Sequence, residues 1–372
     1  MIPQRGIYTV GNKIFYNKLP ALKYSTESGQ QVTWSYGDEY FSQFDWKSEP
    51  VESLGQLYIE RCKQLRDDYD YLILYYTGGS DSHNILTHFI KAGIHVDEVV
   101  SFYCMEYYDK KQQKNNSTHK KNAQNEWYYT NLPDFKNLKN IIPKTKLTLL
   151  DYTQDCINLD IPDDWQDIVG EVLHPNIAKR TSLFKHKSLL AHAEKGKVAL
   201  IHGIDKPRVF NVEGKWYFAF LDLIAGISPA LPKDLINSGA VTEQFYWSDK
   251  SVRMLIKQAH TVKKFWQTTP LPISPPSQKK IDFNIRQIYD NITRNLIYPY
   301  WRKEIFQIDK PTSLWFNDTE TWIFNESEKT SKFWWDFYNE TVTSIDKKYF
   351  RQSHDKSIVD GFTGFWSKWH EL

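Results

Sequence analysis

Tyr71-Leu72-Ile73-Leu74-Tyr75-Tyr76-Thr77-Gly78-Gly79-Ser80-Asp81-Ser82 decides how this chain is read. The first six residues form a continuous apolar run of strand length. Such a run suits a strand covered on both faces, as in a parallel sheet. A helical pattern follows the glycines, with Ile85, Leu86, Phe89 and Ile90 on one side and Gly93 as its stop. Asp97-Glu98-Val99-Val100-Ser101-Phe102-Tyr103 is the next strand, so residues 71–103 read as one βαβ unit. A glycine-rich turn between a buried strand and a helix suits an anion. Glycine lets the backbone approach closely, and the first amides and the dipole of the helix favour negative charge. Ser80 and Ser82 add hydroxyls. Asp81 opposes a phosphate unless it holds Mg²⁺ or caps the helix at the far edge of the loop.

The alternation continues outward from this unit. Residues 121–132 read as a helix, Lys146-Leu147-Thr148-Leu149-Leu150 as a strand, 185–195 as a helix ended by Gly196, and Val198-Ala199-Leu200-Ile201-His202 as a strand. Strand–helix alternation of this kind predicts an α/β fold with an open, mostly parallel sheet and flanking helices. Upstream, Gly11-Asn12 between two β-prone runs predicts a hairpin, residues 31–36 a further strand, and residues 52–67 an amphipathic helix. Beyond residue 240 the strands are expected to stop, with helices over 243–266 and 284–306 around a proline-rich loop. The expected organisation is a β-rich segment over 1–50, an α/β domain over 51–240 and a helical, aromatic-rich domain over 241–372.

Composition narrows the classes. Apolar residues are 41% and charged residues 25%, ordinary globular values. No apolar run approaches a membrane span, and the first residues carry no signal-peptide core, so a cytoplasmic protein with no membrane partner is expected. Cys62, Cys104 and Cys156 are too few and too scattered for a disulfide framework or a cysteine-based metal site. A net charge of +2 does not announce nucleic-acid binding. Two features keep nucleic acid open as a less favoured partner. One is the segment 110–121, with five Lys and no acid. The other is a Trp-rich C-terminal part that includes Trp301, Trp315, Trp322, Trp334, Trp335, Trp366 and Trp369. Solvated lysines and core tryptophans are the plainer reading of both.

Thr77 to Ser82 matches neither the phosphate loop ending in Gly-Lys-Ser/Thr nor the GxGxxG dinucleotide fingerprint. It resembles the SGGxDS signature of the PP-loop ATP pyrophosphatase (adenine nucleotide α-hydrolase-like) superfamily, with Thr77 in place of the first serine. The resemblance spans about residues 68–210, and within the superfamily it lies nearest the synthetase domain of asparagine synthetases. It implies an enzyme that uses ATP and Mg²⁺ to adenylate a carboxylate or carbonyl oxygen, releasing pyrophosphate, before an amine or ammonia displaces AMP. By the same resemblance Thr77, Gly78, Gly79, Ser80, Asp81 and Ser82 would hold the phosphates. Phe102 or Tyr103 would lie near the adenine. Gly203 and Asp205 would form a second phosphate- and metal-binding loop, with Asp81 and Asp205 on the metal. Lys206 and Arg208 would neutralise the leaving pyrophosphate, completing a catalytic set of Asp81, Asp205, Lys206 and Arg208.

The departures shape the expectation. Ile2 stands where glutaminase-bearing synthetases carry a nucleophilic Cys, so the nitrogen is expected from ammonia or from a substrate amine. The acidic signature of asparagine synthetases is replaced by Gly203-Ile204-Asp205-Lys206. Phosphosulfate reductases need a C-terminal Cys, and none follows Cys156. Thiouridine synthases use a Cys near ATP, which leaves Cys104 as a nucleophile candidate beside its plainer reading as a small core residue. A tRNA- or nucleobase-modifying enzyme and a non-catalytic ATP-binding protein are the alternatives. The acceptor is expected to be a small molecule. His202, at a strand end beside the second loop, is the one histidine positioned to matter.

Overall fold

The structure is a computed structural model, and it describes residues 6–104, 131–158, 186–203, 206–222, 238–269, 283–300, 318–330, 332–352 and 359–372. Three antiparallel strands open the chain. β1 (Ile7–Val10) and β2 (Lys13–Phe15) form a hairpin through Gly11 and Asn12, with Val10 opposite Lys13. Gly11 has φ 57°, which the tight turn requires. Helix α1 (Lys18–Ser28) follows, and β3 (Val32–Ser35) pairs on the other side of β1. After the short α2 (Asp38–Phe41) comes α3 (Leu54–Asp68), started by a capping box between Ser53 and Gln56.

The central unit is β4 (Tyr71–Tyr75), α4 (Ser80–Lys91) and β5 (Glu98–Tyr103). The chain continues through α5 (Leu132–Ile141), β6 (Lys146–Asp151), α6 (Thr153–Ile157), α7 (Lys187–Ala193) and β7 (Val198–His202). A hairpin of β8 (Arg208–Val212) and β9 (Lys215–Ala219) precedes β10 (Ala240–Gln244). The last part holds α8 (Val252–Thr268), α9 (Phe283–Ile297), α10 (Asp318–Thr330), α11 (Lys332–Ser344), β11 (Phe350–Gln352), β12 (Val359–Phe362) and β13 (His370–Glu371).

The main sheet has five strands in the order β10-β7-β4-β5-β6, and every neighbouring pair is parallel. The fold is therefore α/β with an open parallel sheet. The apolar run in β4 splits by alternation between two layers. Leu72 and Leu74 join the large core with Leu57, Cys62 and Leu65 of α3 and Ile85, Leu86 and Phe89 of α4. Ile73 and Tyr75 turn to a smaller core closed by Leu189 and Ala193 of α7. Both faces are covered, which is why the strand has no polar alternate.

The chain leaves β4 toward β5 and β6, then returns to β7 and β10 on the other side. The direction of winding thus reverses between β4 and β7. In open α/β sheets the crevice beyond the carboxyl ends of the strands at such a point is the usual place for a ligand. The loops leaving β4 and β7 are the ones that carry Thr77–Ser82 and Gly203–Lys206.

The expectation that strands stop after residue 240 is corrected. β10 occupies 240–244, and β11, β12 and β13 lie near the C-terminus, with β13 pairing back to β9. The helix expected from 243 starts only at Val252. Glu243 and Gln244 conceal the end of β10 in the sequence, because these polar residues are buried at the sheet edge. The Arg61 guanidinium donates to the Glu243 carboxylate and to the Gln244 carbonyl. The helix over 284–306 is found as α9 up to Ile297, and residues 301–306 lie outside the described residues. The helix placed at 121–132 falls almost wholly outside them, and the described helix nearby is α5. The boundary drawn at 240 coincides with the first residue of β10, and the large core runs from Tyr8 to Leu372.

Candidate phosphate-binding site

The loop after β4 is shaped by its own side chains. Gly78 has φ 74°, a left-handed conformation that glycine adopts without strain. The Thr77 amide donates to Ser82 Oγ at 3.2 Å, and the Gly79 amide donates to Thr77 Oγ1 at 3.2 Å. The Thr77 and Ser82 hydroxyls are 3.4 Å apart. These two residues, expected on the phosphate, also shape the loop by bonding to one another. Gly79 is the N-cap of α4 and supplies no side-chain acceptor to its first turn. The N-cap residue therefore does not satisfy the first amides of this 12-residue helix, which suit an anion with the helix dipole behind them.

Gly203 brings the second loop against the first. A Cβ at Gly203 would sit 2.8 Å from Ile85 Cδ1, 3.1 Å from the Asp81 carbonyl carbon and 3.1 Å from the Ser82 amide nitrogen. Only a glycine lets the end of β7 pass this close to the start of α4. Lys206, just beyond, reaches Asp81 with Nζ at 3.1 Å from Oδ1 and 3.3 Å from Oδ2. Asp81 and Lys206, both expected at the site, are thus in direct contact.

Three residues absent from the sequence-based set complete the cluster. The Tyr298 hydroxyl donates to Asp81 Oδ1 at 2.6 Å, and the Tyr246 hydroxyl donates to the Asp81 carbonyl at 2.9 Å. Arg294 Nε, on α9, donates to Ser80 Oγ at 3.0 Å, and that hydroxyl donates in turn to Asp81 Oδ2 at 3.2 Å. Burial alone would raise the Asp81 pKa. The Lys206 charge, the Tyr298 hydroxyl and the Arg294 charge outweigh burial and hold the carboxyl below the usual range, so it is ionised. Burial, with Asp81 close by, pushes the Tyr246 and Tyr298 hydroxyls well up, so both remain donors.

The other expected residues fall as follows. Phe102 and Tyr103 end β5, the neighbour of β4, and the Phe102 ring lies 5.3 Å from Tyr75. The His202 ring lies 4.4 Å from the other side of the same tyrosine, so an aromatic row crosses three strand ends. Arg208 is on β8 and forms a buried ion pair with Asp290 of α9 at 3.0 Å. That pairing ties β8 to α9. Asp205 lies outside the described residues. Cys104 is fully buried, with the Thr153 hydroxyl 3.5 Å from its sulfur, as suits a core residue. The segment 110–121, Trp301 and Trp315 lie outside the described residues. Trp366 and Trp369 both pack edge-on against Phe210.

The donor set fits a polyanion: an uncapped helix start, an ammonium and a guanidinium within one cluster. Among the described residues it does not fit a resident Mg²⁺. Asp81 already accepts bonds from Lys206 on both oxygens, from Tyr298 and from Ser80, which fills a carboxylate's ordinary capacity. Among the described residues no group of three His, Cys, Asp or Glu side chains could hold a metal ion. No helix among the described residues is long and apolar enough to cross a membrane. Compared with family models, with curated proteins and with solved structures, the chain finds no match.

Proposed function

We propose that this protein is an ATP pyrophosphatase-type synthetase of the PP-loop kind. It would adenylate a carboxylate or carbonyl oxygen of a small-molecule acceptor and transfer the activated group to an amine or to ammonia. One observation carries the reading. The uncapped start of α4, bearing the Thr77–Ser82 string, sits where the sheet reverses its winding, with Lys206 and Arg294 converging on it. Both the chemistry of the loop and its place in the sheet support a phosphate site.

In the proposed reaction the acceptor oxygen attacks the α-phosphorus of ATP. The bond from that phosphorus to the bridging oxygen breaks, and its electron pair leaves with pyrophosphate. The amine then adds to the acyl carbon and loses a proton, and AMP departs. The products are AMP, pyrophosphate and an amide where the acceptor is a carboxylate, or the corresponding C=N compound where it is a carbonyl oxygen. Lys206, Arg294 and the first amides of α4 hold the charge that grows on the leaving pyrophosphate, and in-line positioning supplies much of the remaining rate. The row of Phe102, Tyr75 and His202 offers an apolar surface for the base at the neighbouring strand ends. Residues from α9 would border the acceptor.

The adenylate step is reversible, so exchange of labelled pyrophosphate into ATP tests it. We expect exchange only when a small-molecule cell extract, or a fraction of it, supplies the acceptor. Exchange that instead follows added RNA would replace the small acceptor by a nucleic acid. Labelled phosphate entering ATP in place of pyrophosphate would overturn the reading.

A further inference from the structure

The Asp81–Lys206 pair departs from what the resemblance implies. There, the aspartate of the loop serves a divalent cation. Here both carboxylate oxygens face one ammonium, at 3.1 Å and 3.3 Å, and the remaining acceptor sites go to Tyr298 and Ser80. Lys206 is buried, at 7% exposure, while its partner's side chain is 24% exposed. Its Nζ also lies 6.0 Å from the centre of the Tyr298 ring, so the same tyrosine steadies both partners. A buried lysine so held is a fixed charge. An ammonium has three donors, and two are spent on Asp81, which leaves one for a third partner. Arg294 places a second cation beside the same serine.

We infer that Lys206, positioned by Asp81, takes the role of the divalent cation at this loop, so that the loop binds a polyphosphate without a metal ion. The inference rests on the reading of the loop as a phosphate site. Asp81 is then a positioning residue: it anchors Lys206 and ligates no metal. Ionic pairing between the two makes the cation part of the fold, present before the ligand arrives.

The test is equilibrium dialysis of labelled inorganic pyrophosphate against the full chain, in EDTA and in Mg²⁺. The wild type is expected to bind in EDTA with a Kd within about threefold of that in Mg²⁺, and Lys206→Met to weaken binding about tenfold or more in EDTA. Binding that appears only with Mg²⁺ would overturn the inference and leave the phosphate site standing. No binding under either condition would overturn both. The wild-type comparison decides the matter even if Lys206→Met fails to fold.

Discussion

At the scale of single residues, the site depends on one missing methyl group. Gly203 lets the loop after β7 lie against the first turn of α4, where a Cβ would meet Ile85 Cδ1 at 2.8 Å and two backbone atoms at 3.1 Å. The side-chain end can swing aside, but the backbone of the phosphate loop cannot. Gly203→Ala is expected to cost about 1–3 kcal/mol of stability, read from urea denaturation, and to weaken pyrophosphate binding in the protein that still folds. Unchanged binding would show that the two loops are not held as one unit. The strand–loop–helix placement of Thr77 to Ser82 and the loop bearing Gly203 and Lys206 could be read from the chain because residue type and local order mark them. Arg294, Tyr298 and Tyr246 could not. They arrive from more than 160 residues away, and nothing in their neighbours marks them as partners of Ser80 and Asp81. Nor does the sequence announce that Arg208, close to Lys206, pairs with Asp290 of α9.

At the scale of elements, β5 is tied to its surroundings by a buried carboxylate at its first residue. Glu98 accepts bonds from His186, at the start of α7, and from Tyr71 of β4, and it contacts Thr148 and Lys146 of β6. Burial alone would raise its pKa, but the hydrogen bonds from His186 and Thr148 and the charges of His186 and Lys146 outweigh burial and lower it from 4.5 to about 2. A carboxyl whose folded pKa lies below its unfolded value stabilises the fold above the unfolded value. That contribution fades as pH falls from 4.5 toward about 2. Glu98→Gln is therefore expected to lower stability by roughly 1–3 kcal/mol at neutral pH, with the gap to wild type closing across this acid range. A gap that stays constant from neutral pH to pH 2 would contradict the assignment. Elements with one clear signal were legible in the sequence: the apolar run of β4, the stripe of α4 and the Gly-Asn hairpin. β10 was not, because its buried face ends in Glu243 and Gln244, whose partners Arg61 and Tyr69 come from other elements.

At the scale of the whole molecule, distant parts of the chain meet at a buried ion pair. Lys18 at the start of α1 lies 2.9 Å from Asp222, just after β9, and both side chains are almost wholly buried. The Tyr8 hydroxyl of β1 donates to the same carboxylate at 3.0 Å, and the Phe365 amide, near the C-terminus, donates at 2.7 Å. Removing one partner leaves the other charge in an apolar interior. Asp222→Ala is expected to destabilise the protein by about 3–5 kcal/mol, and the double change Lys18→Met with Asp222→Leu to recover most of that loss. A loss under about 1 kcal/mol for the single change, by denaturant midpoint, would show that the pair does not hold the N- and C-terminal parts to the sheet. No local pattern announces such a pair, which is why the sequence suggested three successive domains while one core runs from Tyr8 to Leu372.

Cleavage of ATP between its α- and β-phosphates at the α4 loop is the step on which the proposed function stands. The most direct test is chromatographic separation of the nucleotide products after incubating the protein with Mg²⁺-ATP, ammonium and fractions of a small-molecule extract. AMP and pyrophosphate are expected in equal amounts, dependent on one fraction. ADP and phosphate in their place would contradict that step.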